Sequence, residues 1–390
     1  MDERVYLDWN ATAPMRPEAR AAMTAALDIL GNPSSVHAEG RAARRVVEEA
    51  RERVALLVWA EPPNVIFTSG GTEANVLALA PGDGPHGKRF DRLLVSAIEH
   101  PSVLAGGRFP AAMVEKLPVS GEGLVDLAAL GQRLRDLAAQ GLRPLVSVMV
   151  ANNETGAVQP LSAIADAVHE AGGLVHGDGV QAAGKIPCNI NTLGVDFLTL
   201  SGHKIGAPKG VGALVKRERR LDLVSLITGG GQERGARAGT ENVAAIAGFG
   251  AAAMAARQNF EADTARMRQL LDRLEAGLRS ATPTIVIFAE NVDRLPNTTL
   301  LALPGMKAET AVIAFDLEGV AVSSGAACSS GKVAPSHVLA AMGAGPDLAR
   351  GAVRVSLGAS TTENDVERFL RAWINVSGAL LNNRSKDIAA

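Results

Sequence analysis

The sequence predicts an α/β fold, with a mostly parallel sheet covered by helices on both faces and a smaller α+β domain after it. Three observations carry this. Short apolar runs alternate with helix-length amphipathic segments between about residues 65 and 215. The run Leu145 to Val150 is almost continuously apolar, as a strand buried on both faces must be. After Pro283 the pattern changes to short strands mixed with helices.

The elements follow in order. Val5 to Asp8 is extended and leads into a polar turn through Asn10 and Pro14. Pro17 to Leu30 reads as a helix with proline in its first turn. A charged amphipathic helix spans about Ala38 to Trp59, and Pro62 and Pro63 break it. Val65 to Thr68, Arg92 to Ile98, Leu145 to Val150, Leu174 to His176, Phe197 to Leu200 and Val211 to Val215 read as strands. Helices are expected over Thr72 to Ala80, after Pro101, over Val125 to Ala139 and over Leu161 to Ala171. Helix resumes near Thr240 and runs, with a break, to about Leu278. Beyond it, Thr284 to Phe288, Thr298 to Leu303 and Ala352 to Leu357 read as strands. Lys307 to Phe315, Pro335 to Met342 and Glu363 to Leu381 read as helices, and the tail after Asn382 is expected to fray.

Composition narrows the function. The 390 residues carry a net charge of -2, so no global field points to nucleic acid. Two cysteines, Cys188 and Cys328, build neither a disulfide framework nor a four-cysteine metal site. No apolar run is long enough for a bilayer, and the first residues lack a signal-peptide core. The expectation is a cytoplasmic protein with no membrane or nucleic-acid partner and no intrinsic metal. Cys188 sits among apolar residues and reads as buried packing.

In such sheets ligands bind at the carboxyl ends of the strands, so those residues matter most. Gly70, Gly71 and Thr72 join a strand to a helix and form an anion cradle of backbone N–H groups. His100 ends the next strand and suits ring stacking or proton transfer. Asn152 and Asn153 end a third. Asp178 ends a fourth, where a carboxylate can hold a pyridinium nitrogen, with Gln181 close by. Ser201, His203 and Lys204 end a fifth, and a lysine amine there can form a Schiff base with an aldehyde cofactor. Each feature alone also reads as an ordinary cap or turn. Together they match the needs of pyridoxal 5'-phosphate.

The motifs at residues 6–14 (YLDWNATAP), 31–35 (GNPSS), 68–73 (TSGGTE), 99–101 (EHP), 152–156 (NNETG), 201–204 (SGHK), 232–242 (QERGARAGTEN) and 323–328 (SSGAAC) resemble cysteine desulfurases of the NifS/IscS type. The resemblance spans nearly the whole chain. It implies a fold-type-I pyridoxal-phosphate enzyme with a seven-stranded large domain at 15–258 and a small domain from 1–14 and 259–390. It also implies a homodimer that takes sulfur from L-cysteine and leaves L-alanine.

By matching positions, Lys204 is the Schiff-base lysine and His100 stacks on the ring. Asp178 binds the ring nitrogen, and Asn153 and Gln181 contact the ring oxygen or nearby groups. Gly71, Thr72, Ser201 and His203 hold the phosphate, and Thr240 reaches the phosphate in the partner subunit. Arg354, with Asn153, takes the substrate carboxylate. Cys328, in a loop of small polar residues, accepts sulfur as a persulfide. An iron-sulfur scaffold or another sulfur acceptor then receives it, and Cys328 touches metal only transiently, in such an acceptor's cluster. Ala326, Ala334 and Asn189 depart from the family's usual residues. A selenocysteine lyase or aminotransferase on the same fold would not require Cys328, and a silent docking subunit would bind no cofactor.

Overall fold

The computed structural model describes residues 4–82, 89–221, 223–325 and 336–388, with side chains through residue 380. In chain order the strands are β1 (Val5–Tyr6), β2 (Val65–Thr68), β3 (Arg92–Ser96), β4 (Val114–Leu117), β5 (Pro144–Met149), β6 (Leu174–Asp178) and β7 (Phe197–Ser201). They continue with β8 (Gly212–Lys216), β9 (Val286–Ile287), β10 (Thr298–Ala302), β11 (Val320–Ala321), β12 (Ser323–Ser324) and β13 (Val353–Ser356).

The main sheet has seven strands in the order β2-β8-β7-β6-β5-β3-β4. Strand β8 runs antiparallel to both of its neighbours, and the other pairings are parallel. The mostly parallel sheet expected from the sequence is therefore present. Every residue of β2, β5 and β7 is buried, which is why these strands read as unbroken apolar runs.

Strand β4 is absent from the sequence reading. It sits at the sheet edge with Glu115 and Lys116 partly or fully exposed, so it shows no apolar run. Several predicted boundaries also move. The first helix ends at Leu27 rather than Leu30, and the second at Leu57. The strand expected at Thr284 to Phe288 shrinks to β9, and the helix near Pro335 is His337–Ala341, N-capped by Ser336. The last helix runs Glu363–Ile388, past the point where fraying was expected.

Helix Val243–Gln258 is alanine- and glycine-rich and buried on most faces. A Cβ on Gly250 would lie 2.6 Å from Ala50 Cα, so glycine permits the helix carrying Ala50 to approach this closely. Small residues thus replace the scarce aromatics as core filler.

A second sheet has the order β12-β13-β10-β9, and β1 pairs in parallel with β11. Its core is separate, built on Leu271, Leu274, Phe315, Phe369 and Trp373. Phe315 and Phe369 stack at 5.5 Å between ring centroids.

The loop after Gly231 is fixed by a buried ion pair. Arg51 Nη1 donates to Glu233 Oε2 at 2.6 Å, and both side chains are almost wholly buried. Glu233 Oε2 also accepts from Phe67 N at 3.0 Å. Glu233 and Arg234 occupy left-handed backbone, at φ 47° and 56°, so the loop is held in a shape most side chains resist. Removing the carboxylate in Glu233→Ala leaves the buried Arg51 guanidinium with the more exposed Glu48, 3.1 Å from its Nε, as its charge partner. Urea denaturation is expected to read a loss of about 3–5 kcal/mol. A loss below about 1 kcal/mol would mean that water reaches Arg51.

Candidate active site

A cavity of about 680 Å³ opens at the carboxyl ends of the parallel strands. Gly70, Gly71 and Thr72 enter it from the turn after β2, and His100 from the segment after β3. Asn153 follows β5, Asp178 ends β6 with Gln181 beyond it, and Ser201, His203 and Lys204 follow β7. Arg354 reaches in from β13 of the second sheet.

Local sequence explains the cradle. Helix Gly71–Ala78 starts directly after the glycines, so its free N–H groups face the cavity end of β2. A Cβ on Gly71 would sit 3.0 Å from Val180 Cγ2 and 3.3 Å from Ser201 Cβ, so a larger residue there would have to push these side chains aside. Glu73 holds the loop by accepting from Ser69 N at 2.8 Å and pairing with Arg237 at 3.0 Å.

Asp178 is fixed from two sides. Val180 N donates to Oδ1 at 3.0 Å and Asn75 Nδ2 donates to Oδ2 at 2.9 Å. Asn75 Nδ2 also donates to Ser102 Oγ at 2.9 Å, and Ser102 Oγ lies 2.7 Å from His100 Nδ1. Ser102 N donates to that same His100 nitrogen at 3.2 Å, which leaves the proton of the neutral ring on Nε2. Burial, with help from the Lys204 charge, lowers the His100 pKa and keeps the ring neutral. Asn75 therefore ties the carboxylate to the imidazole. The sequence reading missed it. Its only signal is a polar residue on the buried side of a short apolar helix.

Lys204 Nζ donates to the main-chain oxygens of Asn10 at 2.5 Å and Ala11 at 2.9 Å. His203 Nδ1 lies 3.2 Å from Thr12 Oγ1, and burial together with Lys204, Lys209 and Lys185 pushes its pKa down to about 4. Arg354 is already engaged. It donates through Nη2 to Asp8 Oδ1 at 2.7 Å and through Nη1 to the Asn153 carbonyl at 2.9 Å, while its buried Nε has no partner. The sequence reading foresaw neither the Asp8 partner nor the use of the Asn153 backbone.

Thr240 lies elsewhere. It is exposed and lines a smaller cavity of about 160 Å³ with Ser69, Gly210 and Arg237. Cys328, Ala326 and Ala334 fall outside the described residues. Next to them, Ser336 Oγ donates to Glu154 Oε2 at 2.5 Å, and burial pushes the Glu154 carboxyl up to about 7. Cys188 is buried and its thiol is pushed up to about 12, in line with a packing role. Asn189 caps a short helix by accepting from Asn191 N. Among the described residues no group of three or more His, Cys, Asp or Glu could hold a metal ion.

The class-V aminotransferase family model matches residues 5–369. This chain belongs to the class-V aminotransferase family. A cysteine desulfurase of Cereibacter sphaeroides is 43% identical over 374 residues, covering 94% of each chain. An IscS-like cysteine desulfurase of Mycobacterium tuberculosis is 38% identical over 399 residues, covering 99% of this chain and 98% of that one. Among solved structures, a NifS-like protein from Rickettsia africae superposes with a TM-score of 0.85 at 34% identity, covering 96% of this chain and all of that one. This class-V aminotransferase has the fold-type-I architecture and is a pyridoxal-phosphate enzyme.

The residues fit that cofactor. One cavity holds a lysine amine, a fixed carboxylate and a glycine cradle at a helix start, the three features an aldehyde, a pyridine nitrogen and a phosphate require.

Beneath the site, His176 is fully buried between Ser147 Oγ at 2.8 Å and Thr199 Oγ1 at 3.0 Å. Burial pushes its pKa down to about 4. The unfolded chain binds this proton near pH 6.5 and the folded chain does not. The stability it contributes is therefore present above about pH 6.5 and is lost as pH falls toward 4, at about 1.4 kcal/mol per pH unit. In His176→Asn the slope of unfolding free energy over that window is expected to drop by about one proton. An unchanged slope would show that His176 does not carry the effect.

Proposed function

We propose that this chain is a cysteine desulfurase, which takes the sulfur of L-cysteine and releases L-alanine. The observation that carries the reading is the near-full-length identity to curated desulfurases, joined to a cavity in which Lys204, Asp178 and Arg354 converge.

Each residue then has a task. Gly71, Thr72, Ser201 and His203 hold the phosphate, His203 as a neutral donor. Asp178, oriented by Asn75, receives the ring nitrogen. His100 would stack against the ring, and Asn153 and Gln181 would contact its oxygen or nearby groups. Bound there, pyridoxal phosphate supplies an electron sink for bond breaking at the substrate α-carbon. Lys204 would hold the cofactor's aldehyde, and its amine would move the substrate α-proton. Arg354, pre-aligned by Asp8, takes the substrate carboxylate. The Cys328 thiolate accepts the substrate sulfur, so cysteine plus thiol becomes alanine plus persulfide.

The persulfide passes to an acceptor protein, an iron-sulfur scaffold by this reading. The exposed Thr240 reaches the cofactor phosphate of a second copy, and the exposed Val224, Leu226 and Ile227 nearby in sequence supply apolar surface for a homodimer. A core cluster drawn wholly from 1–14 and 259–390 supports a division into 15–258 and 1–14 with 259–390, with a third cluster of Ile98, Met149 and Leu300 joining the two. No helix among the described residues is long and apolar enough to cross a membrane, and the cytoplasm is the proposed location.

A single-turnover assay tests the reading. Purified protein is given L-cysteine without reductant, alanine is counted, and intact mass and peptide mapping locate the sulfur. Alanine matched by one sulfur on Cys328 supports the desulfurase. Alanine without it points to a direct lyase, and neither product, with cofactor bound, points to an aminotransferase.

A further inference from the structure

Asn10 is the meeting point of two lysines. Its main-chain oxygen accepts from Lys204 Nζ at 2.5 Å and from Gln181 Nε2 at 3.0 Å. Its side-chain oxygen accepts from Lys185 Nζ at 3.1 Å and from Asn297 Nδ2 at 3.2 Å. Its amide nitrogens are held as well, Nδ2 donating to Thr298 Oγ1 at 2.9 Å and the backbone N donating to Ser356 Oγ at 3.0 Å. Lys185 closes a ring by also donating to Gln181 Oε1 at 2.9 Å.

Lys185 is buried, and both of its acceptors are neutral amide oxygens. An amine in such a place is expensive. A methionine would fill the space without that cost but would fix neither amide. With Lys185 present, the carbonyl ends of Asn10 and Gln181 are both pinned, and the Gln181 NH₂ group must face the Asn10 main-chain oxygen on which Lys204 rests. Lys185 and Lys204 also line one cavity of about 290 Å³ behind the active site. We propose that Lys185 is a positioning residue for Lys204, setting through Asn10 where that amine sits and how readily it holds a proton. The proposal rests on the reading of Lys204 as the cofactor lysine.

Charges of both signs surround the pair. Arg354, paired with Asp8, stands on the side of the second sheet. Asp178 and His100 stand at the strand ends, and His203 and Lys209 on the loop that carries Lys204. Arg16 and Asp263, 3.7 Å apart, line the far side of the shared cavity. Burial and the neighbouring charges of Lys204 and Arg354 hold Lys185 well below the usual lysine range. The coupling is reciprocal, so each amine weakens the other's hold on a proton.

The test is a pH titration of the holoenzyme's cofactor absorbance, which follows the proton on the Lys204 Schiff base. Lys185→Met removes both the charge and the pin. Its midpoint is expected to rise by about one pH unit, a tenfold gain in proton affinity. Lys185→Arg keeps a cation and its donors and is expected to return the midpoint toward the parent value. If Lys185→Met does not accumulate as folded protein, Lys185→Gln keeps a donor without the charge and is expected to rise in the same way. A parent midpoint in the neutral variant that folds, with only a lowered melting temperature, overturns the proposal and leaves Lys185 as packing. Borohydride reduction of the parent, followed by peptide mapping, checks the underlying assignment. Cofactor fixed elsewhere than Lys204 would fail that assignment separately.

Discussion

Lys204→Ala is expected to keep the fold and lose the chemistry. Lys204 donates to the Asn10 and Ala11 carbonyls, both on a segment that other bonds already secure. Its removal should therefore leave the melting temperature of the cofactor-free protein nearly unchanged. The variant still has the glycine cradle and Asp178, so it should bind pyridoxal phosphate without a covalent link, and dialysis should strip the cofactor. Turnover loses the group that moves the α-proton, worth roughly 10²–10⁴-fold by itself. Added methylamine, a small soluble amine, is expected to restore part of the rate. Full activity with L-cysteine in the unsupplemented variant would remove Lys204 from the mechanism.

Cys328→Ala is expected to separate two properties that the parent combines. The cofactor spectrum should be unchanged, because the strand-end residues that bind the cofactor are untouched. Persulfide should vanish from the intact mass, and sulfur delivery to any acceptor should fall to the background of the uncatalysed reaction. Cys188 cannot substitute, since it is buried and its thiol is pushed up to about 12, leaving almost no thiolate near neutrality. Undiminished sulfur transfer by the variant would move the role to another group.

Much of the fold was legible in the sequence because the buried strands β2, β5 and β7 have no polar face to disguise them. Most of the candidate site was legible for a related reason. Strand ends in this architecture converge, so Gly71, His100, Asp178 and Lys204 could be placed together from their positions after apolar runs. What escaped depends on partners far away in the chain. Asn75 looks like an ordinary helix residue until Asp178, 103 residues on, is seen to accept its hydrogen bond. Lys185 looks like a loop lysine until Asn10 arrives from 175 residues earlier. Arg354 was expected to take the substrate carboxylate, but its Asp8 partner, 346 residues away, has no local signal. Strand β4 escaped for the opposite reason, because a four-residue edge strand with a charge on each face carries no apolar pattern.

The pairing of β1 with β11 bears on how the protein is made. Val5 lies beside Val320, and the backbone of Asn10 is fastened to Ser356. Residues 5–10 leave a ribosome long before residues 320–356, so they wait for those partners before they can settle, and the seat of Lys204 waits with them. Contacts of such long sequence separation form late and slowly. Cofactor capture should follow synthesis past Ser356, and a nascent chain stalled short of that residue should remain colourless however much pyridoxal phosphate surrounds it.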